Sequence, residues 1–307
     1  MRWRHIFGRK NREITLNNFY SPLISGGFWA VSLSAINRNV ELICIGNELL
    51  IGKVLNTNAH WLARRVTSLG LSVRRITVVG DDLDEISSAI REAIQRKPSF
   101  IITTGGLGPT FDDKTLEGVA RAIGCELEEN KEALEMIKRR YEQYVAEGRL
   151  ERFELTKYRV KMAMLPRGAK PLPNPVGTAP GVLVRYGDVN LIMLPGVPQE
   201  MMAIFDESVA PLLREVAGNM VFYEASLEVK GVPESDLAPL IEQVMRENPY
   251  VYIKSHPKIS EKTSHIELHF STTCEDLNVA RQRIERSIMQ ISELISDRGG
   301  KIRPVQS

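Results

Sequence analysis

The stretch from Phe100 to Thr115, FIITTGGLGPTFDDKT, constrains this chain more than any other. An apolar run rich in β-branched residues empties into three glycines within four residues, Gly105, Gly106 and Gly108. Leu116, Val119, Ala120 and Ile123 then recur at helical spacing. This is a strand, a glycine loop and a helix. Glycines let successive backbone N–H groups turn together toward a bound anion, and the following helix adds its positive end. The pair Asp112-Asp113 would repel phosphate oxygens unless a divalent cation stood between them, so the stretch reads as a metal-assisted nucleotide or pyrophosphate site. The plainer alternative is that one aspartate caps the helix and the glycines only make a turn. One cap needs one acid, and Pro109 and Thr115 frame the pair, which favours the functional reading.

With 307 residues and 43% hydrophobic content, the chain has room for one large domain and a smaller one. No internal repeat is evident. The net charge of +2 is unevenly placed, because residues 1–39 hold six basic residues and one acid, Glu13. The remainder is slightly acidic and lacks the basic stripe that duplex nucleic acid requires. Cys44, Cys125 and Cys274 are odd in number and far apart, which fits a reducing cytosol and no metal cluster and leaves an isolated reactive thiol open.

Residues 1–39 read as foreign to the rest. Their apolar run superficially resembles a signal peptide, but Pro22, Ser25, Gly26 and Gly27 break it and it is too short and polar to span a bilayer. A disordered tail, or a start site placed too far upstream in the gene, with Val31 or Leu33 as alternative starts, explains them better. Residues 40–220 form the expected nucleotide-site domain and 221–307 a small α+β domain.

Within the larger domain, Glu41 to Ile45 reads as a buried strand, Val73 to Val79 as a second strand rich in β-branched residues and Phe100 to Thr104 as an apolar strand, each followed by an amphipathic helix. This alternation gives an α/β fold with a mostly parallel sheet covered on its faces by helices. Ligands in such sheets sit outside the carboxyl ends of the strands, so Gly46-Asn47-Glu48, Gly80-Asp81-Asp82 and the Gly105 to Asp113 loop share one rim. Glu48 is open between a site role and a turn role, whereas Asp82 reads as a helix cap. Residues 128–160 are charged and helical, and Lys161 to Leu165 reads as a short strand. Pro173 to Gly181 carries three prolines and two glycines with Asn174 and Thr178, a rigid loop suited to holding a ligand. A hairpin through Gly187-Asp188 is expected to close one edge of the sheet. Pro195-Gly196 then leads into a helix with Met201, Ile204, Phe205, Val209 and Leu212 as its apolar face, kinked at Pro211. Past Gly218 the order strand, helix, strand, strand, helix gives the small domain. Its His265 and His269 lie on one strand face without a third ligand, so they make no metal site.

Taken together, Gly46 to Leu50, Asn56-Thr57-Asn58, Thr104 to Thr110 with Asp112-Asp113, Pro173 to Gly181, and Leu194 to Pro198 with Glu200-Met201 resemble the CinA family. More broadly they are similar to the molybdopterin-binding domain of molybdopterin adenylyltransferases and of the amino-terminal half of eukaryotic FAD synthases. The resemblance runs in order over about residues 40–300. It implies a three-layer α/β sandwich, a ferredoxin-like or KH-like appendage, and cytoplasmic pyrophosphatase activity on ADP-ribose or a dinucleotide such as FAD. It further implies phosphate at Gly105, Gly106 and Gly108, with Mg²⁺, Mn²⁺ or Co²⁺ at Asp112 and Asp113. Glu48 is the implied catalytic neighbour, and Thr110, Thr115, Asn56, Asn58, Asn174, Gly177, Thr178, Pro195 and Gly196 complete the binding residues. The implied partners are a nucleotide or pterin and further copies of the chain, with no nucleic acid and no membrane. The chain departs from the family in three ways: it ends before the carboxy-terminal deamidase domain of many bacterial relatives, it has Asn47 where Thr or Asp is usual, and nothing matches residues 1–39. Three functions follow: hydrolysis of a nucleotide pyrophosphate, with Glu48 and Asp81 as candidate bases; adenylyl transfer to a pterin; or ligand sensing without turnover.

Overall fold

The computed structural model describes residues 37–258 and 264–305, so the expectations for residues 1–36 lie outside the described residues. The first half alternates as read, through β1 (Asn39–Ile45), α1 (Asn47–Leu50), α2 (Thr57–Ser68), β2 (Ser72–Val79), α3 (Leu83–Gln95), β3 (Phe100–Thr104) and α4 (Thr115–Ile123). There follow β4 (Leu127–Glu129), α5 (Lys131–Ala146), α6 (Lys157–Lys161), β5 (Met164–Pro166), β6 (Lys170–Leu172), β7 (Gly181–Tyr186) and β8 (Val189–Leu194). Then come α7 (Pro198–Ile204), a π-helical turn (Phe205–Val209) and α8 (Ala210–Ala217).

Six strands join in the order β2-β1-β3-β8-β7-β6, with β2, β1, β3 and β8 parallel and only β7 running against its neighbours. Strand alternation sorts the side chains between two cores. Ile43 and Ile101 pack with Ile86, Ile90, Val119 and Ile137 from α3, α4 and α5, while Leu42 and Ile102 pack with Leu62, Phe205 and Leu213 on the other face. The result is a three-layer α/β sandwich. Each fully buried aliphatic side chain contributes about 1.5–3 kcal/mol, so the central strands anchor the rim above them. One buried charge interrupts β1. Glu41 accepts from Arg96 Nε and Nη2 at 2.7 Å each, a two-pronged pair that satisfies the carboxylate.

Several local expectations are corrected. The strand begins at Asn39, not beyond it, and Arg38 is tied in as well, donating to Ala217 O at 3.2 Å and accepting from Ser72 N at 2.9 Å. The hairpin of β7 and β8 does not close the sheet, because β6 pairs outside β7. Lys161 ends a helix, and the strand starts only at Met164. At Pro211 the helix accommodates the missing N–H with a π-turn over Phe205–Val209 rather than a simple kink. The extra residue rotates the later apolar face by one position, so Leu213 and not Leu212 is fully buried.

The second sheet is built from β9 (Val221–Lys230), α9 (Glu234–Glu247), β10 (Tyr252–Pro257), β11 (His265–Cys274), α10 (Leu277–Ser296) and β12 (Lys301–Pro304). Its strand order β10-β11-β9-β12 is antiparallel throughout. The short terminal strand β12 was not expected and completes the βαββαβ order of a ferredoxin-like domain. His265 is hydrogen-bonded to Glu228, whereas His269 Nε2 lies 3.1 Å from Glu224 Oε2 without hydrogen-bond geometry. No described helix is long and apolar enough to cross a membrane.

Candidate functional site

The carboxyl ends of β1, β2, β3 and β8 bring four loops around one cavity of about 400 Å³, and Met162 and the segment Thr178-Ala179 complete its wall. The glycine loop lines the cavity with Gly105, Gly106, Leu107 and Gly108. Gly105 has φ 101° and Gly106 has φ 66°, both in the region that favours glycine. A side chain at Gly105 would run into the Ile45 carbonyl, and one at Gly106 into Thr115 Oγ1. Thr115, itself fully buried, donates to Gly105 O at 2.7 Å and holds this geometry. Among the described residues, the N–H groups of Gly106, Leu107 and Gly108 donate to no protein acceptor. Backbone N–H groups left without a protein partner beside a cavity are what an anion-binding nest, or cradle, requires.

Above the cradle, Thr110 organises the acidic pair. Its N–H donates to Asp113 Oδ2 at 2.8 Å, and its hydroxyl lies within reach of both Asp112 Oδ1 and Asp113 Oδ2. Each aspartate keeps its second oxygen free of protein hydrogen bonds among the described residues. The Thr110 hydroxyl, then the residue's own backbone amide, with Lys161 and Lys114 adding to them, holds the Asp112 carboxyl below its ordinary value. It is therefore charged at neutral pH. The residue before α4 is Lys114, and no side chain caps that helix, so neither aspartate serves as the cap.

Among the described residues, five carboxylates line the cavity, those of Glu48, Asp81, Asp112, Asp113 and Glu200, and no lysine, arginine or histidine side chain does. Lys161 stands just outside, its Nζ donating to the backbone carbonyls of Thr110 and of Asp113, the latter at 2.8 Å. Among the described residues, no group of three or more His, Cys, Asp or Glu side chains is arranged to hold a metal. A cage made by protein alone is not what these residues offer. Two carboxylates with free oxygens beside an anion cradle do fit Mg²⁺, which ordinarily completes its shell with substrate phosphate and water.

Residues 41–215 match the family described as "Probable molybdopterin binding domain". The chain belongs to this family. A protein of Pyrobaculum arsenaticum is 46% identical over 262 residues, 84% of this chain and 95% of its own length. One of Pyrobaculum calidifontis is 47% identical over 258 residues, again 84% of this chain and 95% of its own. Among solved structures, the protein CinA of Thermoplasma acidophilum, described as of unknown function, is 41% identical, with a TM-score of 0.52 over 59% of this chain and 99% of its own. The likeness places the chain with the CinA-like members of the molybdopterin-binding-domain family.

In this member of the family, Glu48, Gly105, Gly106, Gly108, Asp112, Asp113, Thr178, Pro195 and Gly196 line the cavity together. Six expected lining residues stand behind the wall instead and shape it. Asn56 caps α2 by accepting from Ala59 N at 3.0 Å, and Asn58, buried, donates to Gly196 O at 2.8 Å. Thr110 and Thr115 brace the acidic and glycine loops. Asn174 accepts from Val176 N and Gly177 N while its Nδ2 donates to Ala179 O and Glu200 Oε2, both at 2.7 Å. Gly177 leaves room for the Glu200 carboxylate.

Sequence reasoning missed Glu200 and Lys161 as parts of the site. Glu200 sits in the first turn of α7, where an acid is unremarkable because it complements the helix dipole. Lys161 ends a strongly charged helical region in which one lysine carries no distinguishing signal. Asn47, the departure from the family pattern, has a local role. Its N–H donates to Asp81 Oδ2 at 2.9 Å and its Oδ1 accepts from Asp81 N at 3.3 Å, locking two rim loops together. Asp82 caps α3 as read, accepting from Asp84 N and Glu85 N.

Proposed function

We propose that the chain is a metal-assisted hydrolase of a nucleotide pyrophosphate bond, with ADP-ribose or a dinucleotide such as FAD as substrate. The observation that carries this reading is the meeting, in one cavity, of three undonated backbone N–H groups with the carboxylates of Asp112 and Asp113. Amides alone would suit any phosphate. Carboxylates beside them suit a phosphate that arrives with a cation. A divalent metal held by Asp112 and Asp113 would offset the diphosphate charge and acidify a bound water.

The chain's own groups divide the remaining work. The N–H groups of Gly106, Leu107 and Gly108 bind and orient the diphosphate, and they stabilise the charge that develops on its oxygens. Asp81 is occupied by Asn47, whereas Glu48 accepts no protein hydrogen bond among the described residues, so Glu48 is the carboxylate assigned to take the water proton. Glu200, pinned by Asn174, orients the opposite wall. The free thiols of Cys44, Cys125 and Cys274 accord with a cytosolic setting.

A second reading is favoured by the family description over residues 41–215, namely binding of a pterin with or without adenylyl transfer to it. One screen separates the two. ADP-ribose and FAD, and separately ATP with molybdopterin, are incubated with the protein and Mg²⁺, Mn²⁺ or Co²⁺. Cleavage without an organic acceptor supports the hydrolase, adenylylated pterin supports transfer, and tight binding without turnover under every metal supports a sensor.

A further inference from the structure

Phe111 is 88% exposed, the most exposed large apolar side chain among the described residues. It contributes to neither core of the sandwich. Its backbone is nonetheless firmly held. Thr110 N–H and hydroxyl bond Asp113 on one side of it, and Lys161 Nζ bonds the Thr110 and Asp113 carbonyls that bracket it. A loop fastened by a threonine and a lysine thus displays an aromatic ring to solvent. In sequence that ring stands directly before Asp112, a cavity-lining residue, and two positions after Pro109, another.

Among the described residues the cavity is lined by charge and amides but by no aromatic side chain. At about 400 Å³ it also lies near the small end of ligand pockets, about 300–1,000 Å³, and Asp112, a lining residue that is itself exposed, marks its mouth. Val197, a lining residue that is 52% exposed, adds an apolar surface at that mouth. We infer that Phe111 is a ligand-binding residue that favours ring-bearing over ringless phosphates, the planar heterocycle of the ligand stacking on it while its phosphate occupies the glycine cradle. This rests on the reading of the cavity as a nucleotide phosphate site and deepens it by assigning the ring end. Stacking on a π-face is tolerant of base identity, so adenine, flavin and pterin rings share the platform.

The test uses ligands that have no pyrophosphate bond and so are not consumed. Affinities for AMP, FMN, a free pterin and ribose 5-phosphate are measured with Mg²⁺ by calorimetry on the full chain. For Phe111→Ala the expected result is about a tenfold loss for the ring-bearing ligand that the unaltered protein binds, with ribose 5-phosphate unchanged. Phe111→Trp keeps the affinity, and its added indole emission is quenched by that ligand. Equal affinity of Phe111→Ala and the unaltered protein for every ring-bearing ligand would overturn the inference. So would a parallel loss for ribose 5-phosphate, or a change of sedimentation with affinities retained, which would make Phe111 a contact between copies. If the unaltered protein binds none of these ligands and no ADP-ribose, the functional reading fails first and the inference with it.

Discussion

Lys161 Nζ donates to the backbone carbonyl of Asp113 at 2.8 Å, reaching back over 48 residues from the end of α6 to the acidic loop. The same ammonium bonds the Thr110 carbonyl, so it closes the turn on which both aspartates stand. Lys161→Met should lower turnover about 10- to 100-fold. Stability should fall by less than about 1 kcal/mol, because the freed carbonyls reach water. Lys161→Arg should recover most of the activity. Repeating the assay at high salt separates the causes: loss through a misplaced loop persists, and loss through charge alone is screened away.

How far this site was legible follows from such residues. The glycine loop, the acidic pair and the alternating strands and helices announce themselves, because special backbone angles and buried strands demand particular residue types. Lys161 and Glu200 act through contacts across the fold, and lysines and glutamates in helices are ordinarily solvated. The short strands β6 and β12 escaped because runs of three and four residues, one holding Pro171 and the other ending in Pro304, are too short for alternation to be read. The π-turn before Pro211 is a packing compromise between two helices that local spacing does not encode. Asp112 and Asp113 were separable from helix caps only once Lys114 was seen to occupy the cap position.

Asn174 makes four hydrogen bonds within the proline-rich loop and to Glu200. Asn174→Ala should destabilise the protein by about 2–3 kcal/mol in urea unfolding. Asn174→Asp keeps the acceptors for Val176 and Gly177 but sets a second carboxylate against Glu200. Its stability deficit should be largest at pH 7 and shrink toward pH 4–5 as one of the two acids takes a proton. A deficit independent of pH would show that the two side chains do not meet.

Arg96 partners Glu41, whose side chain is only 5% exposed while that of Arg96 is 32% exposed. Arg96→Ala would leave a buried carboxylate alone. The expected cost is about 3 kcal/mol, the low end for a buried pair because the arginine is partly wetted. The double variant Arg96→Met with Glu41→Leu should recover part of that loss, which thermal unfolding of the three variants would reveal.

Four carboxylates are held below their ordinary values: Asp82 by the amides of Glu85 and Asp84, Asp112 by Thr110, Glu228 by His265, and Glu267 by Lys258. Below about pH 4, where the unfolded groups begin to take protons, the unfolded chain binds more protons than the folded one. Their contribution is therefore complete above that pH and is lost as pH falls through the depressed values. Urea midpoints should be insensitive to these groups near neutrality and drop in acid. Asp82→Asn preserves the cap and should make the acid drop shallower while leaving the midpoint at pH 7 nearly unchanged.

The most direct test of the account is the release of AMP and ribose 5-phosphate from ADP-ribose as Mg²⁺ is titrated, with the unaltered protein beside Asp113→Asn. Asparagine keeps the size of the side chain and an acceptor for Thr110 N–H but removes one charge from the acidic pair. Turnover should depend on Mg²⁺, fall by about 100-fold or more in the variant, and be partly restored at high Mg²⁺ with the unfolding midpoint little changed. Equal turnover and equal Mg²⁺ dependence in the two proteins, or no cleavage by the unaltered protein under any metal, would contradict the central claim.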